Sequence, residues 1–89
     1  MTVITWDPKA REFLRKLDKH LATRIYSAVD EKISKDVTRY LETIKGYDFY
    51  KIRVGDYRLF VDYCPSENHL KIRVIEHRGT AYQHLRDRL

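Results

Sequence analysis

Three cations, Lys51, Arg53 and Arg58, stand within one short stretch, Tyr50 to Tyr63, that reads YKIRVGDYRLFVDY. Gly55-Asp56 at its centre reads as the two-residue turn of a β-hairpin. Glycine at the first central position suits a type II′ turn, whose twist matches the flanking strands. Such a turn pairs Val54 with Tyr57, so Arg53 sits opposite Arg58 and Lys51 opposite Phe60. Like charges directly opposite on a strand pair repel. Either a bound phosphate offsets that repulsion, or the long side chains splay apart on a solvated face.

Cations of this kind suit phosphate chemistry. Cleavage of RNA by its own 2′-OH needs a group to take the hydroxyl proton and a group to protonate the leaving 5′-oxygen. It also needs positive charge for the negative charge that builds on phosphorus. Arginine serves the last need because it binds phosphate bidentately and stays charged. Other chemistries have little support. The histidines His20, His69, His77 and His84 lack metal-ligand spacing and Cys64 stands alone. No phosphate-binding glycine loop or Ser or Cys nucleophile signature occurs. No metal and no cofactor is expected.

The elements that would position these residues follow from pattern. Thr2–Trp6 is rich in β-branched residues and reads as a strand. Asp7-Pro8 reads as a helix start, and Ala10, Phe13, Leu14, Leu17 and Leu21 form an apolar stripe at helical spacing. A break is expected around Lys19–Thr23, with Asp18 or Thr23 as the next cap. A second helix is expected to run to about Lys45, burying Ile25, Ala28 or Val29, Ile33, Val37, Tyr40, Leu41 and Ile44, with Gly46 just past its end. After the hairpin, Leu70–His77 (LKIRVIEH) alternates as a third strand. Its parity puts Leu70, Ile72 and Val74 on the core face and Lys71, Arg73, Ile75 and His77 on the other. A short C-terminal helix is expected from Tyr82, Leu85 and Leu89. The expected fold class is α+β, β-α-α-β-β-β, an antiparallel sheet with a helical hairpin on one face, in a single domain spanning residues 1–89.

The open face of that sheet would carry Phe49, Lys51, Arg53, Arg58, Phe60, Asp62, Lys71, Arg73, Ile75 and His77. Cations there would track phosphates and aromatic rings would stack on bases, as on surfaces that hold a single strand. For Phe49 and Phe60 the other reading is cover by a partner or by the tail. For Lys71 and Arg73 it is plain solvation. His77 reads either as a general acid or base or as an exposed histidine at a strand end.

The net charge of +5 favours an anionic partner. The excess is spread along the chain, with ten Lys/Arg against seven Asp/Glu in residues 1–45 and eight against six in residues 46–89. One cysteine permits no intrachain disulfide, which fits a reducing compartment. No apolar run approaches a membrane span and no signal-peptide pattern is present, so the cytoplasm is expected.

The ordered set of residues resembles a family. Lys51 and Arg53 flank Ile52 on a strand, Tyr57-Arg58-Leu59 follows the turn, and His77-Arg78 precedes Tyr82. That order is similar to the RelE branch of the RelE/ParE toxin superfamily, across nearly the whole chain. The resemblance implies a ribosome-dependent endoribonuclease that cuts A-site mRNA and leaves a 2′,3′-cyclic phosphate. It implies a cognate RelB-like antitoxin as partner, with the toxin–antitoxin complex able to bind operator DNA. By the same resemblance Lys51, Arg53 and Arg58 supply the basic strand positions. Arg78 stabilises or protonates at the scissile phosphate, and Tyr82 stacks near the attacking 2′-OH or takes its proton. The family often has lysine at the position of Arg53; arginine is a poor proton carrier, so Arg53 is read as an electrostatic group. The competing reading within the superfamily is a ParE-type toxin, which binds DNA gyrase without catalysis.

Overall fold

The structure, a computed structural model, describes residues 2–77. Strand β1 (Val3–Trp6) leads into helix α1 (Pro8–Lys16), with Pro8 in the first turn, where its missing N–H costs nothing. Asp7 holds the N-cap position but makes no capping hydrogen bond. Its carboxylate instead lies 3.6 Å from Lys71 Nζ. The chain breaks at Leu17–Asp18, slightly before the expected place. The Asp18 side chain caps helix α2 (Lys19–Glu31) by accepting from the His20 amide at 2.9 Å.

The second helix does not continue to Lys45. It ends at Glu31 and is followed by a 3₁₀ turn (Ile33–Lys35), a four-residue helix α3 (Val37–Tyr40) and a two-residue strand β2 (Glu42–Thr43). The buried Ser34 hydroxyl donates to the Asp30 carbonyl at 2.6 Å, the acceptor that a continuing helix would offer to the Ser34 amide. Asp36 then leaves helical geometry at φ −156°, ψ 68°. Ile33, Val37 and Ile44 are buried nonetheless. Gly46 has the expected positive φ, +88°, but in the connection that follows β2.

Strands β3 (Tyr50–Val54), β4 (Tyr57–Cys64) and β5 (His69–His77) complete an α+β fold with sheet order β1-β5-β4-β3-β2. All neighbours are antiparallel except β1, which runs parallel to β5. Gly55 has φ +57° and Asp56 no positive φ, as a type II′ turn requires. The hairpin register pairs Val54 with Tyr57, Arg53 with Arg58 and Lys51 with Phe60, as expected.

One irregularity reorganises β5. Phe60 pairs with Val74 and Val61 with Ile72, so Arg73 is an extra residue in a bulge. The parity expected from Leu70 therefore inverts after Ile72. Val74 joins Phe60 on the open face, Ile75 joins Leu59 in the core, Glu76 lies opposite Arg58, and His77 lies opposite Tyr57. The assignments of Val74 to the core and of Ile75 and His77 to the open face are corrected by this one inserted residue.

The main core lies between the helices and one sheet face: Ala10, Ile25 and Val29 pack with Ile52, Leu59, Val61, Leu70, Ile72 and Ile75. Truncating one of the large aliphatics here to Ala costs about 2–5 kcal/mol, a large share of the roughly 5–15 kcal/mol that holds a domain folded. A second, smaller cluster of Ile44, Phe49, Phe60 and Val74 sits on the other face.

Candidate functional site

The face away from α1 and α2 gathers charge in a row across four strands. Arg53 on β3 pairs with Arg58 on β4, and Arg58 with Glu76 on β5. Glu42 on β2 is the register partner of Lys51 and reaches Arg53, Oε2 to Nε at 3.1 Å. Two arginines thus meet at the centre with a carboxylate on each flank. Glu42, bonded to Arg53, offsets part of the repulsion that the hairpin creates.

The two ends of the row differ. Arg53 and Glu42 are both well exposed, and an exposed ion pair contributes only about 0–1 kcal/mol. An incoming phosphate can displace Glu42 at little cost. Glu76 is 4% exposed, and a carboxylate so buried needs nearby positive charge and hydrogen bonds. Arg58 is half-buried, and its Nη1 donates to the Tyr57 carbonyl at 3.4 Å.

Of the expected site residues, the structure brings Lys51, Arg53 and Arg58 onto one face. Lys71 and Arg73 lie farther along β5, each on a carboxylate: Lys71 on Asp7, and Arg73 Nε on Asp62 Oδ2, both at 3.6 Å. The Arg73 guanidinium also sits 5.7 Å from the Phe49 ring centroid. Phe49 and Phe60 are on this face but do not present their rings. They are 4% and 2% exposed, edge to face with centroids 6.1 Å apart. His77 is turned away from the cations by the bulge and packs against Tyr57, ring centroids 5.3 Å apart; Tyr57 in turn meets Phe13 of α1. Arg78 and Tyr82 lie outside the described residues.

Sequence reasoning missed Glu42 and Glu76. Glu42 was hidden by the expected continuous helix, and Glu76 by the expected parity of β5. Among the described residues no group of three His, Cys, Asp or Glu could hold a metal ion, and no helix is long and apolar enough to cross a membrane.

Comparison with known proteins returns a toxin family and the same fold. The family model for the ParE toxin of the type II toxin–antitoxin system parDE matches residues 4–82. The chain belongs to this toxin family. Its structure is similar to the toxin–antitoxin complex RelBE2 of Mycobacterium tuberculosis, with TM-score 0.80 at 19% identity over 86% of this chain and 98% of that one. It is similar to the isolated RelE toxin of E. coli, with TM-score 0.71 at 15% identity over all of both chains. It is also similar to the RelB–RelE complex of Methanococcus jannaschii, with TM-score 0.67 at 23% identity over 90% and 96%. At these identities the likeness is one of fold. No curated protein matches the chain significantly. The protein is a type II toxin with a RelE-like structure.

Proposed function

We propose that this toxin is an endoribonuclease that cuts mRNA on the ribosome and so stops translation. The observation that carries the proposal is the juxtaposition of Arg53 and Arg58, with Lys51 on the same face. A pair of facing arginines beside a lysine is suited to a phosphate that gains negative charge as it reacts. In the reaction the 2′-oxygen bonds to phosphorus, the bond from phosphorus to the 5′-oxygen breaks, and a 2′,3′-cyclic phosphate remains. The 2′-OH proton leaves to a base and the 5′-oxygen gains one. Lys51, Arg53 and Arg58 would neutralise the phosphate; by resemblance Arg78 stabilises or protonates at the scissile phosphate, and Tyr82 stacks near the attacking 2′-OH or takes its proton. Neither a metal nor a cofactor takes part. Solved relatives of the same fold are RelE toxins bound to RelB antitoxins. By that likeness a cognate antitoxin would hold this toxin inactive, in the cytoplasm where the ribosomes are.

The matching family model, that of the ParE toxin, favours a second reading: a toxin that inhibits DNA gyrase by binding. One experiment separates the two. Purified toxin is added to ribosomes programmed with a defined mRNA, and separately to gyrase with relaxed plasmid. Cleaved mRNA whose new 3′ ends carry cyclic phosphate supports the nuclease. Intact mRNA with blocked supercoiling supports the gyrase reading and removes the first.

A further inference from the structure

Three cations of the open sheet face are answered by carboxylates of the chain itself. Arg53 holds Glu42 at 3.1 Å, and Lys71 and Arg73 hold Asp7 and Asp62, each at 3.6 Å. Of these pairs, Glu42 with Arg53 is the one that lies in the central row, where the substrate phosphate is proposed to bind.

Glu42 owes its place to β2. That strand lies at the sheet edge and pairs through two residues, Glu42 with Lys51 and Thr43 with Tyr50. The pairing sets the Glu42 side chain directly opposite Lys51 and diagonal to Arg53, a span that long side chains can cross. The carboxylate crosses it and accepts from Arg53 Nε. One acid thus stands against two of the three cations assigned to the phosphate. Glu42 belongs to neither apolar cluster, and both side chains of the pair are open to solvent. An exposed pair of this kind adds little to folding. It covers Arg53 without tying the sheet together.

We infer that Glu42 is a built-in competitor of the substrate phosphate, which holds down the affinity for free RNA and leaves RNA presented by the ribosome as the preferred substrate. The inference rests on the nuclease reading above. A phosphate that reaches Arg53 must first displace the Glu42 carboxylate, so free RNA loses part of the attraction at each encounter. RNA fixed beside a bound toxin acts at high effective concentration, where the intrinsic affinity for one phosphate matters less. The restraint therefore falls on free RNA more than on RNA held in place.

The test is fluorescence anisotropy over a series of salt concentrations, with a short single-stranded RNA whose 2′-O-methyl groups prevent cleavage. The parent is compared with Glu42→Gln, Arg53→Gln and the double variant. Glu67→Gln, in the exposed turn after β4, controls for net charge. Glu42→Gln should bind about two- to fivefold more tightly, the fold-change that matches one exposed ion pair. Its log affinity should also fall more steeply with log salt, by up to about 0.7, the share of one further phosphate contact on a single strand. Glu67→Gln should gain less than half as much, and in the Arg53→Gln background the Glu42→Gln gain should shrink to that of this control. Cleavage is then read on unmodified RNA, free in solution and on programmed ribosomes. Glu42→Gln should raise the rate on free RNA at least about twofold relative to the ribosomal rate. Unchanged or weaker RNA binding by Glu42→Gln overturns the inference, as does a gain that survives in full without Arg53. Loss of cleavage on both substrates without tighter binding also overturns it, and would make Glu42 a group that acts on the reacting atoms. Tighter binding by Glu42→Gln, in a toxin whose parent form cuts no mRNA, would sustain the competition at Arg53 and remove the nuclease reading.

Discussion

Arg58 lies directly across the β4–β5 ladder from Glu76, a carboxylate almost wholly withdrawn from water. On its other side Arg58 faces Arg53. One arginine therefore stands between an attractive and a repulsive neighbour. The Arg58 guanidinium itself bonds the Tyr57 carbonyl.

The first prediction concerns this pair. Arg58→Ala and Glu76→Gln should be coupled. Opposite charges across strands contribute about 0.2–1 kcal/mol when exposed, and loss of one partner costs more where the other is buried. Urea unfolding of the two single variants and the double variant should give a coupling energy of about 1 kcal/mol or more. Additivity within about 0.3–0.5 kcal/mol would mean that the two residues act independently.

Removal of Arg58 should also cost the proposed reaction heavily. Arg58→Ala should slow mRNA cleavage by about 10²–10³-fold, on the order of losing one preorganised donor to a developing anion. Arg58→Lys should recover part of that, since it restores charge without the bidentate fork. Single-turnover cleavage on programmed ribosomes reads both.

Phe60 should matter for folding rather than for RNA. Its ring is buried with Phe49, Ile44 and Val74. Phe60→Ala should destabilise the protein by about 3–5 kcal/mol, seen as a lowered midpoint in denaturant. Phe60→Leu, which keeps most of the packing, should bind and cleave like the parent. A normal midpoint with lost RNA binding would restore the stacking role.

Gly55→Ala isolates backbone strain. Nothing lies within 4 Å of where a Cβ would stand, yet φ is +57°. The substitution should cost about 1–2 kcal/mol, the penalty of left-handed geometry for an L-residue. Gly55→Asn should cost less, because asparagine tolerates that region. Equal midpoints for the parent and Gly55→Ala would mean that the turn relaxes to another type.

What the chain alone could reveal was what depends on near neighbours. Gly55-Asp56 sets the turn, the turn sets the register, and alternation then puts Arg53 opposite Arg58 with Lys51 beside them. Asp7-Pro8 marks the start of α1 for the same local reason, and Asp18 was among the readable caps. The rest was decided by pairing between distant segments. The bulge at Arg73 exists because β5 must match β4, and it sends Glu76 to the cations and His77 to Tyr57. Ile33, Val37 and Ile44 fit a continuous helix by spacing, but burial of Ser34 and the place of β2 at the sheet edge end it and bring Glu42 to Arg53. Phe49 and Phe60 look like free stacking groups until Ile44 and Val74 close over them. Residue type placed positive charge on the hairpin; only the tertiary fold brought Glu42 to Arg53 and set Glu76 across from Arg58.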